Sequence, residues 1–121
     1  LAEDNEELAR AMEQALERHG YHVEVAHDGR EALEHAERTA RRYDLLITDV
    51  IMPVMGGTEL ARRWRQRYPE TKILFISGYA QDDVALEAAR GEEVLEKPFS
   101  IADLTKKIRD LIGTSTTADS A

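Results

Sequence analysis

Short apolar runs alternate with amphipathic stretches along the chain, and this alternation predicts strands separated by helices. Two of the runs are unbroken, in "YDLLITDV" at 43–50 and in "KILFISG" at 72–78. Unbroken runs of this length are typical of strands buried on both faces, as in parallel sheets. Shorter strands are predicted at 21–26 ("YHVEVA") and 93–98 ("EVLEKP"), and Leu1-Ala2 has the character of the end of a fifth strand.

The stretches between the runs carry apolar residues at helical spacing. They predict five helices, in "NEELARAMEQALERHG", "REALEHAERTARR", "TELARRWRQRYP", "QDDVALEAAR" and "SIADLTKKIRDLIG". Asp4 or Asn5 can cap the first helix, Thr58 the third and Ser100 the last, since short polar side chains satisfy the free N–H groups of a helix start. We expect one domain over residues 1–113 and a polar tail or linker start over 114–121.

Strands that alternate with helices predict an α/β domain: a doubly wound parallel sheet with helices on both faces and right-handed crossovers. In such sheets, function lies at the carboxyl ends of the strands. The predicted strands end at Glu3-Asp4, Asp49, Ser77 and Lys97. Carboxylates gathered this closely repel one another, and a hard divalent cation with oxygen ligands relieves the repulsion. A lysine and a hydroxyl nearby suit a phosphoryl group.

Composition narrows the class of partner. The chain has 121 residues, 33% of them charged, a net charge of −8 and no cysteine. The negative charge argues against a nucleic-acid backbone or an anionic membrane as a partner. A chain without cysteine has no disulfide, which is consistent with a cytoplasmic location.

Four motifs, each at the end of a separate predicted strand, carry a resemblance to a known family. They are "ED" at 3–4, "ITDVIMPVMGG" at 47–57, "FISGYA" at 75–80 and "EKPFS" at 96–100. With them the chain resembles the receiver domain of two-component response regulators, including the chemotaxis receivers, up to about Gly113. The motifs "SGYA" and "EKPFS" are similar to those of receivers in hybrid sensor histidine kinases. The resemblance implies a five-stranded flavodoxin-like sheet in the order 2-1-3-4-5.

The resemblance also implies the chemistry. Asp49 is then the phosphoacceptor, which takes a phosphoryl group from a phosphohistidine of a sensor histidine kinase or phosphotransfer domain. Mg²⁺, or Mn²⁺ in its place, is expected to be held by Glu3, Asp4, Asp49 and the backbone carbonyl of Ile51. Lys97 is expected to pair with the phosphoryl oxygens. The phosphotransfer and autodephosphorylation are intrinsic, but the module is primarily one of signalling, and such domains can form homodimers.

Other implied roles concern the conformational switch and the local structure. Ser77 is expected to donate a hydrogen bond to the phosphoryl group and pull its loop inward. Many receivers carry an aromatic residue at the position of Val94, so Tyr79 is a substitute candidate for the aromatic part of the switch. The Lys97–Pro98 bond is expected to be cis, and Gly57 to permit close backbone approach.

Two other functions stay open at this stage. One is a pseudo-receiver that signals by protein contact without phosphorylation, although no acid or lysine of the site is missing. The other is a phosphohydrolase with an aspartyl nucleophile. Such enzymes usually have a second acid two residues after the nucleophile, and the isoleucine at that position, Ile51, argues against this function. We also expect the first strand to be truncated at Leu1, with an apolar run of about five residues preceding it natively or another chain filling its place by swapping.

Overall fold

A computed structural model describes residues 1–39, 42–78 and 93–113, and the structural statements below concern that part of the chain. The helices and strands there follow the predicted alternation. They are α1 (Glu6–Arg18), α2 (Gly29–Thr39), β1 (Leu45–Asp49), α3 (Gly57–Arg67), β2 (Lys72–Ser77), β3 (Glu93–Glu96) and α4 (Ile101–Ile112). The helix predicted at 81–90 and the predicted tail at 114–121 lie outside the described residues.

The sheet is parallel, with its strands in the order β1-β2-β3. Its first pairs set Leu45 of β1 beside Lys72 of β2, and Leu74 of β2 beside Glu93 of β3. On the other side of β1, Ala2 forms single parallel bridges with both Thr48 and Ala26. The spatial sequence of pairing segments is therefore the expected 2-1-3-4-5, and the doubly wound parallel α/β class is confirmed.

The five expected segments pair to different extents. Within the described residues the ladders join three strands, and the segments predicted as strands one and two contribute isolated bridges at Ala2 and Ala26. Short backbone hydrogen bonds form these bridges: Ala2 N–H donates to Ile47 O at 2.8 Å, and Ala26 N–H donates to Leu1 O at 2.8 Å.

The core lies on both faces of this sheet. Along β1 and β2, successive residues point to opposite faces, because side chains alternate along a strand. Leu46, Ile73 and Phe75 pack against α2 and α3 on one face, and Ile47, Leu74 and Ile76 pack against α1 and α4 on the other. Both faces are thus covered, which explains why the two runs contain no polar alternation. No helix in the described ranges is long and apolar enough to cross a membrane.

The helix starts show which polar residues act as caps. The Asn5 side chain accepts a hydrogen bond from Leu8 N–H at the start of α1, and Ser100 and Asp103 form a reciprocal capping box at the start of α4. The predicted cap of α3 by Thr58 is wrong, because the N-cap is Gly56, which has no side chain to donate or accept. α3 begins earlier because its first residue lies directly against the end of β1.

Candidate active site

Asp49, Ser77 and Lys97 lie at one edge of the sheet, as their positions at strand ends predict. Asp49 is the last residue of β1 and Ser77 the last of β2, while Lys97 follows β3 directly. Lys97 N–H donates to Ser77 O at 2.7 Å, which continues the pairing of β2 and β3 by one residue. Because parallel strands share a direction, their carboxyl ends meet, and the residue that follows β3 reaches the residue that ends β1.

Lys97 joins two buried carboxylates at this edge. Its Nζ lies 3.3 Å from Asp49 Oδ1 and 3.6 Å from Glu3 Oε1. Asp49 is 4% exposed and Glu3 is 1% exposed, whereas the side chain of Lys97 is 30% exposed. These contacts are ion pairs without hydrogen-bond geometry, so both carboxylate oxygens lack a hydrogen-bond donor within the described residues. One ammonium therefore faces two buried negative groups.

Burial dominates the electrostatics of Asp49. The pKa of Asp49 is raised from 3.8 to about 9, mainly because the group loses solvation and secondly because the Glu3 carboxyl group is its neighbour, while Lys97 opposes the shift. Burial lowers the pKa of Lys97, but the Asp49 and Glu3 carboxylates outweigh it, so the pKa of Lys97 lies above its ordinary value. When Glu3 and Asp49 are both ionised, the single positive charge of Lys97 balances only one of them.

The acidic side chains fit a divalent cation. Glu3, Asp4 and Asp49 each offer a carboxylate oxygen, and these oxygens all lie within 4.8 Å of one another. Glu3 Oε2 already accepts a hydrogen bond from Asn5 N–H at 3.0 Å, which fixes the orientation of that carboxylate. Two oxygens without donors, from Glu3 and Asp49, remain for a ligand. Hard cations such as Mg²⁺ prefer an all-oxygen donor set of this kind.

Ser77 brings an unsatisfied hydroxyl to the same edge. The residue is fully buried, and its Oγ has no hydrogen-bond partner among the described residues. Buried hydroxyl groups are normally paired, because an unpaired one keeps its desolvation cost. Its position at the end of β2, beside the strand that carries Asp49, leaves the hydroxyl available to a ligand bound there.

Gly57 holds the backbone around Asp49 in close contact. A Cβ at position 57 would lie 1.9 Å from the Asp49 carbonyl oxygen, so only glycine fits. Gly57 N–H donates to Val50 O at 2.8 Å, and Val50 N–H donates to Ile76 O at 3.0 Å. The start of α3 is thereby fixed against the residue that carries the candidate nucleophile.

The loop at 50–56 contains features that the sequence reasoning missed. Val54 has a φ of 66°, and Met55 N–H donates to Pro53 O at 2.7 Å, so Val54 is the centre of a γ-turn. Met55 O in turn accepts a hydrogen bond from Gly29 N–H at 3.2 Å, which ties the loop to the start of α2. Pro53 and Gly56 signal a turn, but no sequence pattern indicates that a valine takes the left-handed conformation.

The remaining predicted site residues are placed as follows. Ile51 has a side chain that is 55% exposed, directed away from the core. Val94 is half-buried and packs against the core on the face of α2 and α3. The Lys97–Pro98 bond is cis. Tyr79 lies outside the described residues.

Fold and site together define a class: a doubly wound α/β domain with an acidic cluster, a lysine and a hydroxyl at the carboxyl edge of its sheet. The family model for the response regulator receiver domain matches residues 1–109. The chain belongs to that family.

Individual relatives agree with this assignment. The chain is 41% identical over 116 residues to the response regulator receiver protein CpdR of Brucella abortus, with 93% of each covered. It is 37% identical over 114 residues to the sensor kinase CckA of the same organism, where the match spans 93% of this chain and 12% of the kinase. Among solved structures, the response regulator TrrA of Thermotoga maritima in complex with Mg²⁺ and BeF has a TM-score of 0.75 and 28% identity, covering 91% of this chain and 94% of TrrA.

Proposed function

We propose that this receiver domain is phosphorylated on Asp49. The donor is a phosphohistidine of a sensor histidine kinase or of a phosphotransfer domain, and the signal is the resulting change in conformation. The observation that carries the proposal is the ion pair of Lys97 Nζ with Asp49 Oδ1, at 3.3 Å, beside the second buried carboxylate of Glu3.

The chain's own residues supply most of the chemistry. An oxygen of Asp49 forms a bond to phosphorus while the bond from phosphorus to the donor imidazole breaks, and the imidazole leaves and takes up a proton. Lys97 lies close enough to Asp49 to pair with the phosphoryl oxygens after transfer. The burial of Asp49, which is 4% exposed, limits the access of water to the acyl phosphate.

Glu3, Asp4 and Asp49 would hold Mg²⁺, or Mn²⁺ in its place, with the backbone carbonyl of Ile51 as a further ligand. The support is the close approach of the three carboxylates together with the unpaired oxygens of Glu3 and Asp49. When bound, the cation neutralises negative charge on the carboxylates and on the transferred phosphoryl group.

Ser77 would act as the switch. Its buried Oγ lacks a partner within the described residues, and a phosphoryl oxygen on Asp49 would accept the hydrogen bond. Movement of Ser77 would carry with it the residues that follow it in the chain. Val94, half-buried on β3, and Tyr79 are proposed to take part.

Intact-protein mass spectrometry after incubation with acetyl phosphate and Mg²⁺ tests the proposal. We expect a gain of one phosphoryl mass that is lost in Asp49→Asn and retained in Asp44→Asn, a control in which an exposed aspartate undergoes the same change. An adduct that persists in Asp49→Asn would contradict the proposal. Complete absence of an adduct would favour a pseudo-receiver that acts by contact alone. Steady release of inorganic phosphate over many turnovers would indicate a phosphohydrolase.

The partner class follows from the same proposal. A histidine kinase or phosphotransfer domain is the donor. The proposed location is the cytoplasm, which is consistent with a chain that has no cysteine. The similarity to the receiver part of CckA supports a hybrid kinase as one setting, and the full-length similarity to CpdR supports a stand-alone regulator as another.

A further inference from the structure

Glu24 lies between two histidines that come from separate segments of the chain. His22 Nε2 lies 3.3 Å from Glu24 Oε2, and His35 Nε2 contacts Glu24 Oε1. Tyr43 O–H also donates a hydrogen bond to Glu24 Oε1, at 2.6 Å. Each oxygen of this carboxylate therefore meets an imidazole. We call His22, Glu24 and His35 the histidine–glutamate cluster.

The histidine–glutamate cluster is separate from the candidate active site. The contact of Glu24 with His35, a residue of α2, places this carboxylate on the face of the sheet that α2 covers. Val23, which lies between His22 and Glu24 in the sequence, packs with the core on the opposite face. None of the three residues of the cluster belongs to the acidic group around Asp49. The cluster therefore has no part in the chemistry proposed above.

A small cavity adjoins the cluster. Glu24, His35, Tyr43 and Trp64 are among the residues that line it, and its volume of about 30 Å³ is enough for a water molecule. The indole N–H of Trp64 is buried and has no hydrogen-bond acceptor among the described residues. Buried polar groups are normally paired, so this N–H calls for an acceptor. A water molecule in the cavity would accept that hydrogen bond beside the cluster.

We propose that the histidine–glutamate cluster is a metal site that takes a borderline divalent ion such as Zn²⁺, with water as the remaining ligand. Imidazole nitrogens and carboxylate oxygens are ligands of zinc, and three protein ligands with one water form the open type of zinc site. Mg²⁺ prefers oxygen ligands alone, so the donor set distinguishes this cluster from the acidic group around Asp49. The proposal does not depend on the phosphorylation of Asp49.

The side chains of the cluster differ in their freedom to move. The two imidazoles contact different oxygens of Glu24, so a shared ion requires His22 to turn towards His35. The side chain of His22 is 72% exposed, and packing therefore does not oppose this rotation. The side chains of His35 and Glu24 are 35% and 16% exposed, and they form the fixed part of the site. A bound ion would join the segment that carries His22 and Glu24 to α2.

Isothermal titration calorimetry of the full chain with ZnCl₂, in buffer that contains MgCl₂, tests the proposal. The main variant is His22→Gln, because this side chain is largely exposed and its replacement leaves the core unchanged. His35→Gln is the second variant, and His27→Gln, at another exposed histidine, is the matched control. Asp49→Asn shows whether any Zn²⁺ that binds lies at the acidic group instead.

We expect the unaltered protein to bind one Zn²⁺. Loss of a ligand should weaken binding at least as much as loss of an outer partner of a ligand, so His22→Gln and His35→Gln should each lower the affinity at least about tenfold. His27→Gln and Asp49→Asn should leave it unchanged. In the unaltered protein, Zn²⁺ should shift the imidazole NMR signals of His22 and His35 and leave that of His27 in place. Absence of Zn²⁺ binding would overturn the proposal, and so would binding that keeps its affinity in both His22→Gln and His35→Gln.

Discussion

Replacing Asp49 with asparagine should make the metal-free protein more stable, although it removes the candidate nucleophile. Asp49 lies buried beside Glu3, and the single ammonium of Lys97 faces both carboxylates. Asparagine has nearly the same shape as aspartate and carries no charge. The substitution therefore removes a carboxyl group that must either carry a second negative charge in the site or take up a proton, while it leaves the packing in place.

The size of the gain follows from the pKa of Asp49, which rises from 3.8 to about 9 in the fold. Each pKa unit corresponds to about 1.4 kcal/mol, so at pH 7 the unfavourable contribution has an upper limit of about 4 kcal/mol. The buried amide of asparagine retains an unpaired polar group, which costs about 1–3 kcal/mol. We therefore expect Asp49→Asn to raise the free energy of unfolding by about 1–3 kcal/mol at pH 7.

The gain should depend on pH in a defined direction. Between pH 4 and pH 9 the folded protein keeps a proton on Asp49 that the unfolded chain has released, so stability falls as the pH rises through this window. Below pH 4 both states are protonated, so the charge-linked gain should vanish and only the cost of the buried amide, about 1–3 kcal/mol, should remain. The difference should grow towards pH 9.

Urea denaturation in the presence of a chelator, at pH values from 4 to 9, measures this difference. Asp44→Asn is the matched control, since Asp44 is exposed and the change in charge is the same. The control should differ from the unaltered protein by less than about 0.5 kcal/mol at every pH. If Asp49→Asn were destabilising across the whole range, the charge repulsion inferred at this site would be refuted.

Three further outcomes follow from the same structure. Mg²⁺ at 100 times its dissociation constant should stabilise the unaltered protein by about 2.7 kcal/mol, and Asp49→Asn much less, in thermal melts with and without chelator. Gly57→Ala should lower the free energy of unfolding by about 3 kcal/mol in urea denaturation, since its Cβ would lie 1.9 Å from the Asp49 carbonyl oxygen. Gly56→Ala, whose Cβ would have its nearest atom at 3.3 Å, should lower it by less than about 1 kcal/mol, and equal losses would contradict this packing. Ser100→Ala should cost about 1 kcal/mol by loss of the capping box, and no change would mean that water replaces the cap.

The sheet and the candidate site could be predicted because both depend on patterns local to the sequence. Unbroken apolar runs indicate strands buried on both faces, and β1 and β2 are such strands. The parallel arrangement then brings the residues that follow the strands to one edge. Asp49 and Lys97 are far apart in the sequence, yet their meeting follows from topology alone.

Other features depend on tertiary contacts that leave no local pattern. Thr58 has the residue type of a cap, but Gly57 packs closely on Asp49 as the first residue of α3, and Gly56 is the N-cap. In the fold, His35 Nε2 contacts Glu24 Oε1, which also accepts a hydrogen bond from Tyr43. These three residues come from separate segments, so only the folded chain brings them together.

The most direct test of the account is to locate the phosphoryl group after reaction with a phosphodonor and Mg²⁺. Borohydride reduces an aspartyl phosphate to homoserine, and mass spectrometry of the resulting peptides identifies the position. We predict homoserine at position 49, in a reaction that requires the divalent cation. Homoserine at Asp4, or a stable phosphate on a serine or histidine with Asp49 unmodified, would contradict the claim that Asp49 is the phosphoacceptor.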